Sequence, residues 1–312
     1  MNILFPLAQT YIITSDYRAI PLWLTIVLPV GAKRGAFVSR ARVQVLESWG
    51  LLASLALRRP REFYDRVAGY ADLGQGLLSG ASPTYETVSW KSALRDLEER
   101  FGRVAEVLQE PALGEVEENT RQLLEDVRRE APSSLRWAAD SLLARCCYLM
   151  CRLLEPAVVV ETGVAYGVSS AFALRALEEN GRGVLHSVDL PPLRREAERF
   201  WGMAVDRALE GRWTLHRGSS ARILPRLLEE LETVDLFVHD SLHTHRNMRR
   251  EFEAIWPCLR TGGALIADDV ERNRAFGRLR QKTPALWRVV RDREERPLHG
   301  RAAPVMFGIA VK

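Results

Sequence analysis

Six side chains in this sequence combine reactive chemistry with a place to use it: Glu161, Asp189, Asp240, Asp268, Asp269 and, three residues beyond Asp240, His243. Each acid stands at or just after the end of a short apolar run: Val-Val-Val-Glu161, His-Ser-Val-Asp189, Leu-Phe-Val-His-Asp240 and Leu-Ile-Ala-Asp268-Asp269. Carboxylates gathered at one rim repel one another unless a positive group lies among them. Two kinds of cation suit such a rim, an organic cation and a hard divalent metal. For Mg2+ or Mn2+, Asp240, Asp268 and Asp269 offer oxygen donors. His243 titrates near neutral pH and is a candidate general base, with Asp240 beside it as a second catalytic candidate. The plainer alternatives are a helix cap or solvated loop for Asp268-Asp269 and a solvated loop histidine for His243. His239 and His216 read as strand packing, and His245 as a weaker candidate than His243.

The element that must position these groups is the stretch from Ala157 to Ser170. Ala157 to Val160 suit a strand covered on both faces, as in a parallel sheet. Gly163 and Gly167 allow a tight turn, and Ser169-Ser170 open the apolar-periodic helix that continues through Leu177. Such a turn points free amides and a positive helix end above the sheet, a setting that suits a ligand carboxylate or phosphate. Glu161 alters the expectation, because it would repel a pyrophosphate and attract an ammonium group. The spacing Gly-x-x-x-Gly also departs from the Gly-x-Gly-x-x-Gly of dinucleotide sites, which disfavours a nicotinamide dehydrogenase. One strand further on, Asp189 holds the acidic position that hydrogen-bonds ribose hydroxyls in this architecture. An amino acid at one end and a nucleoside at the other describe S-adenosylmethionine. The bland reading is a strand-turn-helix packing unit whose glycines serve only close approach.

From about Ser134 onward, strands and helices alternate. Strands are predicted to Asp189, over Trp213–Arg217, Asp235–Asp240 and Ala264–Asp268. Helices are predicted around Ala171–Glu179, Arg194–Leu209, Ala221–Leu231 and Asn247–Leu259, with a turn at Arg260–Gly263. Leu286–Arg291 and Pro304–Val311 read as an antiparallel closing pair. This is an α/β chain with a doubly wound, mostly parallel Rossmann-like sheet. Residues 1–132 read as a mainly helical N-terminal cap or arm and 133–312 as the ligand-binding domain. Within the cap, Leu94, Leu97, Phe101, Val104 and Leu108 predict one amphipathic helix. A second is predicted from Val116 to Glu130, and Gly74–Pro83 reads as a flexible loop and lid hinge.

Composition bounds the partners. The chain has 312 residues, 47% of them hydrophobic, and a formal charge of +4. Nothing in that balance demands nucleic acid, and no Asn/Asp-Pro-Pro-Tyr base-clamping motif occurs. Arginines between Arg272 and Arg301 form a local basic face, read as solvated. Four cysteines without a Cys-x-x-Cys fit buried thiols in a reducing cytoplasm. The apolar stretch Ala19–Ala32 carries two prolines and falls short of the roughly 20 residues of a membrane span, so no transmembrane segment is expected. It reads as a docking arm, with a homo-oligomer contact or a membrane-surface role as the lesser alternatives.

From about Ser134 to its C-terminus the chain resembles the class I S-adenosylmethionine-dependent methyltransferases. The pattern Glu-x-Gly-x-x-x-Gly-x-Ser at Glu161, Gly163, Gly167 and Ser169 is similar to that of the catechol O-methyltransferase type. The likeness extends through Gly218–Pro225, where Ser220 matches the adenine-contacting serine. Asp240 and Ala267-Asp268-Asp269 match the metal-ligand positions of that type, with Asp269 where asparagine is common. Asp240-x-x-His243 is similar to the metal-and-base motif of sugar O-methyltransferases of the mycinamicin and macrocin kind. The resemblance implies a cofactor site of Glu161, Gly163, Ala165, Tyr166, Gly167, Ser169, Asp189, Ser219, Ser220 and Asp240. It also implies methylation of a small-molecule hydroxyl, on a sugar or other natural product, assisted by a divalent metal. The rival expectations are metal-free O- or N-methylation on the same fold and a non-catalytic scaffold that keeps the cofactor pocket.

Overall fold

The computed structural model describes residues 52–78, 83–130, 138–193, 195–293, 297–298 and 304–312. The arm at Ala19–Ala32 and the boundary expected at 132/133 lie outside these residues. Among the described residues seven strands form one sheet in the order β3-β2-β1-β4-β5-β7-β6. They are β1 (Val158–Thr162), β2 (Val184–Asp189), β3 (Trp213–Arg217), β4 (Val234–His239), β5 (Leu259–Asp268), β6 (Leu286–Arg293) and β7 (Pro304–Val311). The first five are parallel, and β7 runs antiparallel to both β5 and β6, as the closing pair predicts.

The longer helices among the described residues are α1 (Pro60–Leu78), α2 (Trp90–Phe101), α3 (Pro111–Glu130), α4 (Ser141–Leu154), α5 (Val168–Glu179), α6 (Ser220–Leu231) and α7 (His245–Cys258). β1 shows why the sheet is buried on both faces. Val159 belongs to the core shared with α3, α4 and α5, and Val160 to the core under α6 and α7. Each such side chain contributes about 2 kcal/mol by leaving water. α4 carries Cys146, Cys147 and Cys151 into the first core, where burial pushes their thiols far above the usual range. The segment before α2 joins the sheet too, since Val88 pairs with the backbone of β6.

Four local expectations change. The amphipathic run from Leu94 ends at Phe101, because Gly102 takes a left-handed φ of 65° and closes α2; Val104–Val107 then form a separate turn. Gly74–Leu78 complete α1 instead of opening a loop. The helix expected over Arg194–Leu209 is two 3-10 segments, Arg195–Phe200 and Arg207–Arg212. Between them Gly202 N donates to Ala165 O and Ala204 N to Tyr166 O, so this backbone braces the glycine turn and cannot also form a helix. The turn at Arg260–Gly263 lies inside β5 as an irregularity in its pairing with β4.

Candidate active site

In the sheet order β1 lies between β2 and β4, so the chain leaves β1 to one side and returns on the other. This is the switch point above which open parallel sheets bind ligands. The turn after β1 is built for close approach. A Cβ on Gly163, where φ is +87°, would stand 2.1 Å from the Asp240 carbonyl oxygen that follows β4. Gly167, at φ +79°, starts α5 with no side-chain cap, which leaves the helix's first amides for a ligand. Ala165 is left-handed as well, at φ 46°.

Two of the acids are committed to this turn. Glu161 is 1% exposed, and its carboxylate accepts hydrogen bonds from Ser169 Oγ (2.6 Å), Ser170 Oγ (2.5 Å) and Ser187 Oγ (2.7 Å). Asp189 Oδ2 accepts from the amides of Val164 and Ala165, both at 3.1 Å, and from Trp201 Nε1 at 2.9 Å, while Oδ1 accepts from Leu190 N. Burial raises both carboxyls above their usual range despite these donors. Tyr166 is buried beside the turn, its ring 6.5 Å from that of Phe200.

The acids beyond β4 and β5 are arranged differently. Asp240 Oδ1 and Asp268 Oδ2 lie 3.7 and 3.8 Å from Nε2 of His243. One donor atom from each of the three residues falls within 4.8 Å of the others, a grouping able to hold a metal ion. Asp269 stands apart from this grouping: its Oδ2 is 3.2 Å from the opposite ring nitrogen, His243 Nδ1, and 2.6 Å from Arg272 Nε. The ion-binding trio of the sequence reading is thus divided by the fold, with His243 on the donor side and Asp269 behind it.

The electrostatics of the cluster fit a cation. Burial and mutual repulsion, with Asp269 the largest neighbouring charge, hold Asp240 and Asp268 well above the usual carboxylate range. Burial drives His243 down to about 3, so its imidazole is neutral at physiological pH. Its Nε2 is buried without a hydrogen-bond partner among the described residues. Such an atom is costly to leave unpaired. A neutral imidazole and two carboxylates form a donor set suited to Mg2+, Mn2+ or another first-row divalent ion.

Sequence reasoning missed what lies under and over this cluster. His239 is no ordinary packing residue: its Nδ1 is 2.6 Å from Glu251 Oε2 of α7, and its ring meets that of His243 edge to face at 5.3 Å. Glu251 sits among Arg249, Arg250 and Glu253, a pattern that reads as a solvated helix face, so no local signal marked it. Above the rim runs α1. Its Asp65 accepts from Ser219 N (3.2 Å) and pairs with Arg222 (2.8 Å), its Glu62 pairs with Arg217 (2.9 Å), and its Asp72 with Arg246 (3.1 Å). The same helix touches the segment after β2, where Arg66 donates to Pro191 O. Ser220, next to the Ser219 that Asp65 binds, has its Oγ 3.4 Å from Asn247 Oδ1.

Residues 160–270 match a family model described as a methyltransferase domain, a stretch that runs from β1 past the end of β5. No curated protein matches the sequence. Among solved structures the chain is similar to an O-methyltransferase from Bacillus cereus in complex with SAH. The identity is 14% and the TM-score 0.49, over 70% of this chain and 100% of that one. It is also similar to the O-methyltransferase TomG from Streptomyces achromogenes, involved in tomaymycin synthesis and in complex with SAM. There the identity is 16% and the TM-score 0.47, over 72% of this chain and 99% of that one. The stretch 160–270 thus matches a methyltransferase domain, and the glycine turn lies near its start.

Proposed function

We propose that the protein transfers a methyl group from S-adenosylmethionine to a hydroxyl of a small molecule, a sugar or other natural product, with a divalent ion at the β4–β5 rim. The observation that carries the reading is His243 Nε2, buried and unpaired between two carboxylates one strand from the glycine turn. On this reading the α5 N-terminus, the turn at Gly163, Ala165, Tyr166 and Gly167, and Ser169 take the amino-acid end of the donor. Glu161 and Asp189 hold that turn in shape, and Ser219-Ser220 border the adenosine end under α1.

The reaction is an in-line displacement. The acceptor oxygen attacks the methyl carbon, the carbon–sulfur bond breaks, the sulfonium leaves as a neutral thioether, and the hydroxyl proton passes to a base. Alignment of oxygen, carbon and sulfur supplies about 7–11 kcal/mol of the catalysis. Asp240 and Asp268 would hold the ion, with Nε2 of His243 as a third donor. When bound there, the ion would lower the pKa of a hydroxyl presented to it. Asp269 Oδ2 lies 3.2 Å from Nδ1 of His243, and a proton held on that nitrogen would leave the lone pair on Nε2. That same geometry favours a second reading, in which His243 is the proton acceptor and no ion takes part.

The experiment is S-adenosylhomocysteine formation across a panel of hydroxylated metabolites, with and without EDTA, for the wild type and Asp268→Ala. The metal reading expects loss of turnover in both cases, with Mg2+ or Mn2+ restoring the EDTA-treated wild type. Turnover that survives both treatments leaves His243 as a metal-free base. Donor binding with no turnover on any acceptor would point to a cofactor-binding scaffold.

A further inference from the structure

The loop from Asp240 to Thr244 carries Asp240 and His243, two of the three members of the rim cluster, and a carboxylate is buried beneath it. Glu251, 1% exposed, gathers donors from four parts of the chain. Thr162 Oγ1 donates at 2.7 Å from the end of β1, and His239 Nδ1 lies at 2.6 Å at the end of β4. Ser241 Oγ donates at 2.9 Å from the loop, and Asn247 Nδ2 at 2.8 Å from the preceding turn of α7. Asn247 Nδ2 is also 3.0 Å from both Ser241 Oγ and Leu242 O, so the loop between Asp240 and His243 is held twice. A carboxylate buried this deeply is tolerated only when hydrogen-bonded. His239 transmits the arrangement upward, because its ring, held by Glu251, stands at 86° to the ring of His243.

We propose that Glu251 is the positioning residue of this site: it ties the ends of β1 and β4 and the Ser241 loop to α7, and so sets the directions of Asp240 and His243. This rests on the reading of Asp240, His243 and Asp268 as the acceptor-side cluster, but it concerns a residue that touches neither donor nor acceptor. A carboxylate serving only core stability would lower the melting temperature when altered and leave the folded site unchanged. A positioning carboxylate must also change what the site binds, because groups that orient metal ligands typically alter metal affinity about 10- to 100-fold.

The test uses full-length Glu251→Gln and Glu251→Asp with Mn2+ as the probe. Mn2+ affinity is read by electron paramagnetic resonance, S-adenosylmethionine affinity by calorimetry, and ring nitrogens by 15N NMR with the His243 signals assigned from His243→Gln. We expect folded Glu251→Gln to bind the methyl donor within about 2-fold of wild type and Mn2+ about 10- to 100-fold more weakly, with the Asp variant recovering part of the loss. Wild-type Mn2+ affinity in folded Glu251→Gln, with unshifted His243 signals, would overturn the proposal. Should Glu251→Gln fail to fold, Ser241→Ala and Thr162→Val replace it. The first cuts the loop's strut and must weaken Mn2+ about 10-fold, the second cuts the β1 strut and must weaken it less; equal affinities overturn the proposal. If wild type binds no Mn2+, the metal reading of the cluster fails on its own. Glu251 is then judged by the His243 ring signals, which must shift in Glu251→Gln for the positioning role to stand.

Discussion

The two ends of the rim hold similar acids in opposite states. Over β1 and β2, Glu161 is buried and Asp189 partly so, and between them they accept bonds from three hydroxyls, three amides and an indole. Over β4 and β5, Asp240 and Asp268 are partly buried, and they face each other and a neutral imidazole whose Nε2 has no partner among the described residues. The first pair has its partners inside the chain, most of them in the glycine turn and the helix it opens. The second pair lacks such donors, and its members repel each other, a repulsion that a bound cation would relieve. An acid at a strand end therefore has no single meaning, and its donors decide which it carries.

The seam between the halves gives the largest expected effect. Gly163→Ala forces a Cβ at φ +87° into the Asp240 carbonyl, and should cost about 4 kcal/mol and abolish donor binding. Urea denaturation and calorimetry read both; a variant of near wild-type stability would mean that the halves do not meet where the structure puts them. Next comes the carboxylate beneath the second pair. Burial raises Glu251, but the charge of His239 and the hydrogen bonds outweigh that and bring it down to about 2. A depressed carboxyl stabilises the fold above its unfolded pKa of about 4.3, and that contribution, on the order of 3 kcal/mol, disappears as pH falls through the folded value. The stability gap between wild type and Glu251→Gln, followed by urea titration, should narrow between pH 4.5 and pH 2 as this pKa shift implies.

The comparison is tested most directly by paired substitutions. Glu161→Gln leaves serine hydroxyls without an acceptor and should destabilise by about 2 kcal/mol. Asp268→Asn removes one of two repelling charges and should stabilise the metal-free protein by about 1 kcal/mol while eliminating Mn2+ binding. Effects of the same sign in urea melts would erase the distinction between the halves. The smallest effect belongs to the roof. Asp65→Asn removes a partly exposed ion pair with Arg222 and should cost less than about 1 kcal/mol. It should nevertheless weaken donor affinity in a salt-dependent way, because it frees Ser219 N. A donor affinity that is unchanged at low and high salt would detach α1 from the cofactor end.

Local patterns made much of this readable beforehand. The valine run of β1, the two glycines and the serines after them follow strand, turn and helix preferences that act over a few residues. The acids at strand ends were visible because apolar runs end where the sheet meets water. Glu251 and His239 were not, since a glutamate among arginines on a helix looks solvated until its helix is packed. The helix expected over Arg194–Leu209 failed for a related reason: its amides are taken by Ala165 and Tyr166, about 40 residues earlier in the chain. The contacts of α1 with Arg217, Arg222 and Arg246 span more than 150 sequence positions and leave no periodic trace.

On its own, then, the sequence determined the alternating α/β order, the glycine turn and the acids that end the strands, because backbone propensity and apolar periodicity are properties of neighbours. Only the tertiary structure decided which acids are satisfied and which are left facing one another. It also put His243 with Asp240 and Asp268, and set Asp269 behind the ring. Hydrogen-bond satisfaction and charge repulsion depend on distances between segments far apart in the chain, and those distances exist only once the sheet has formed and its helices have packed.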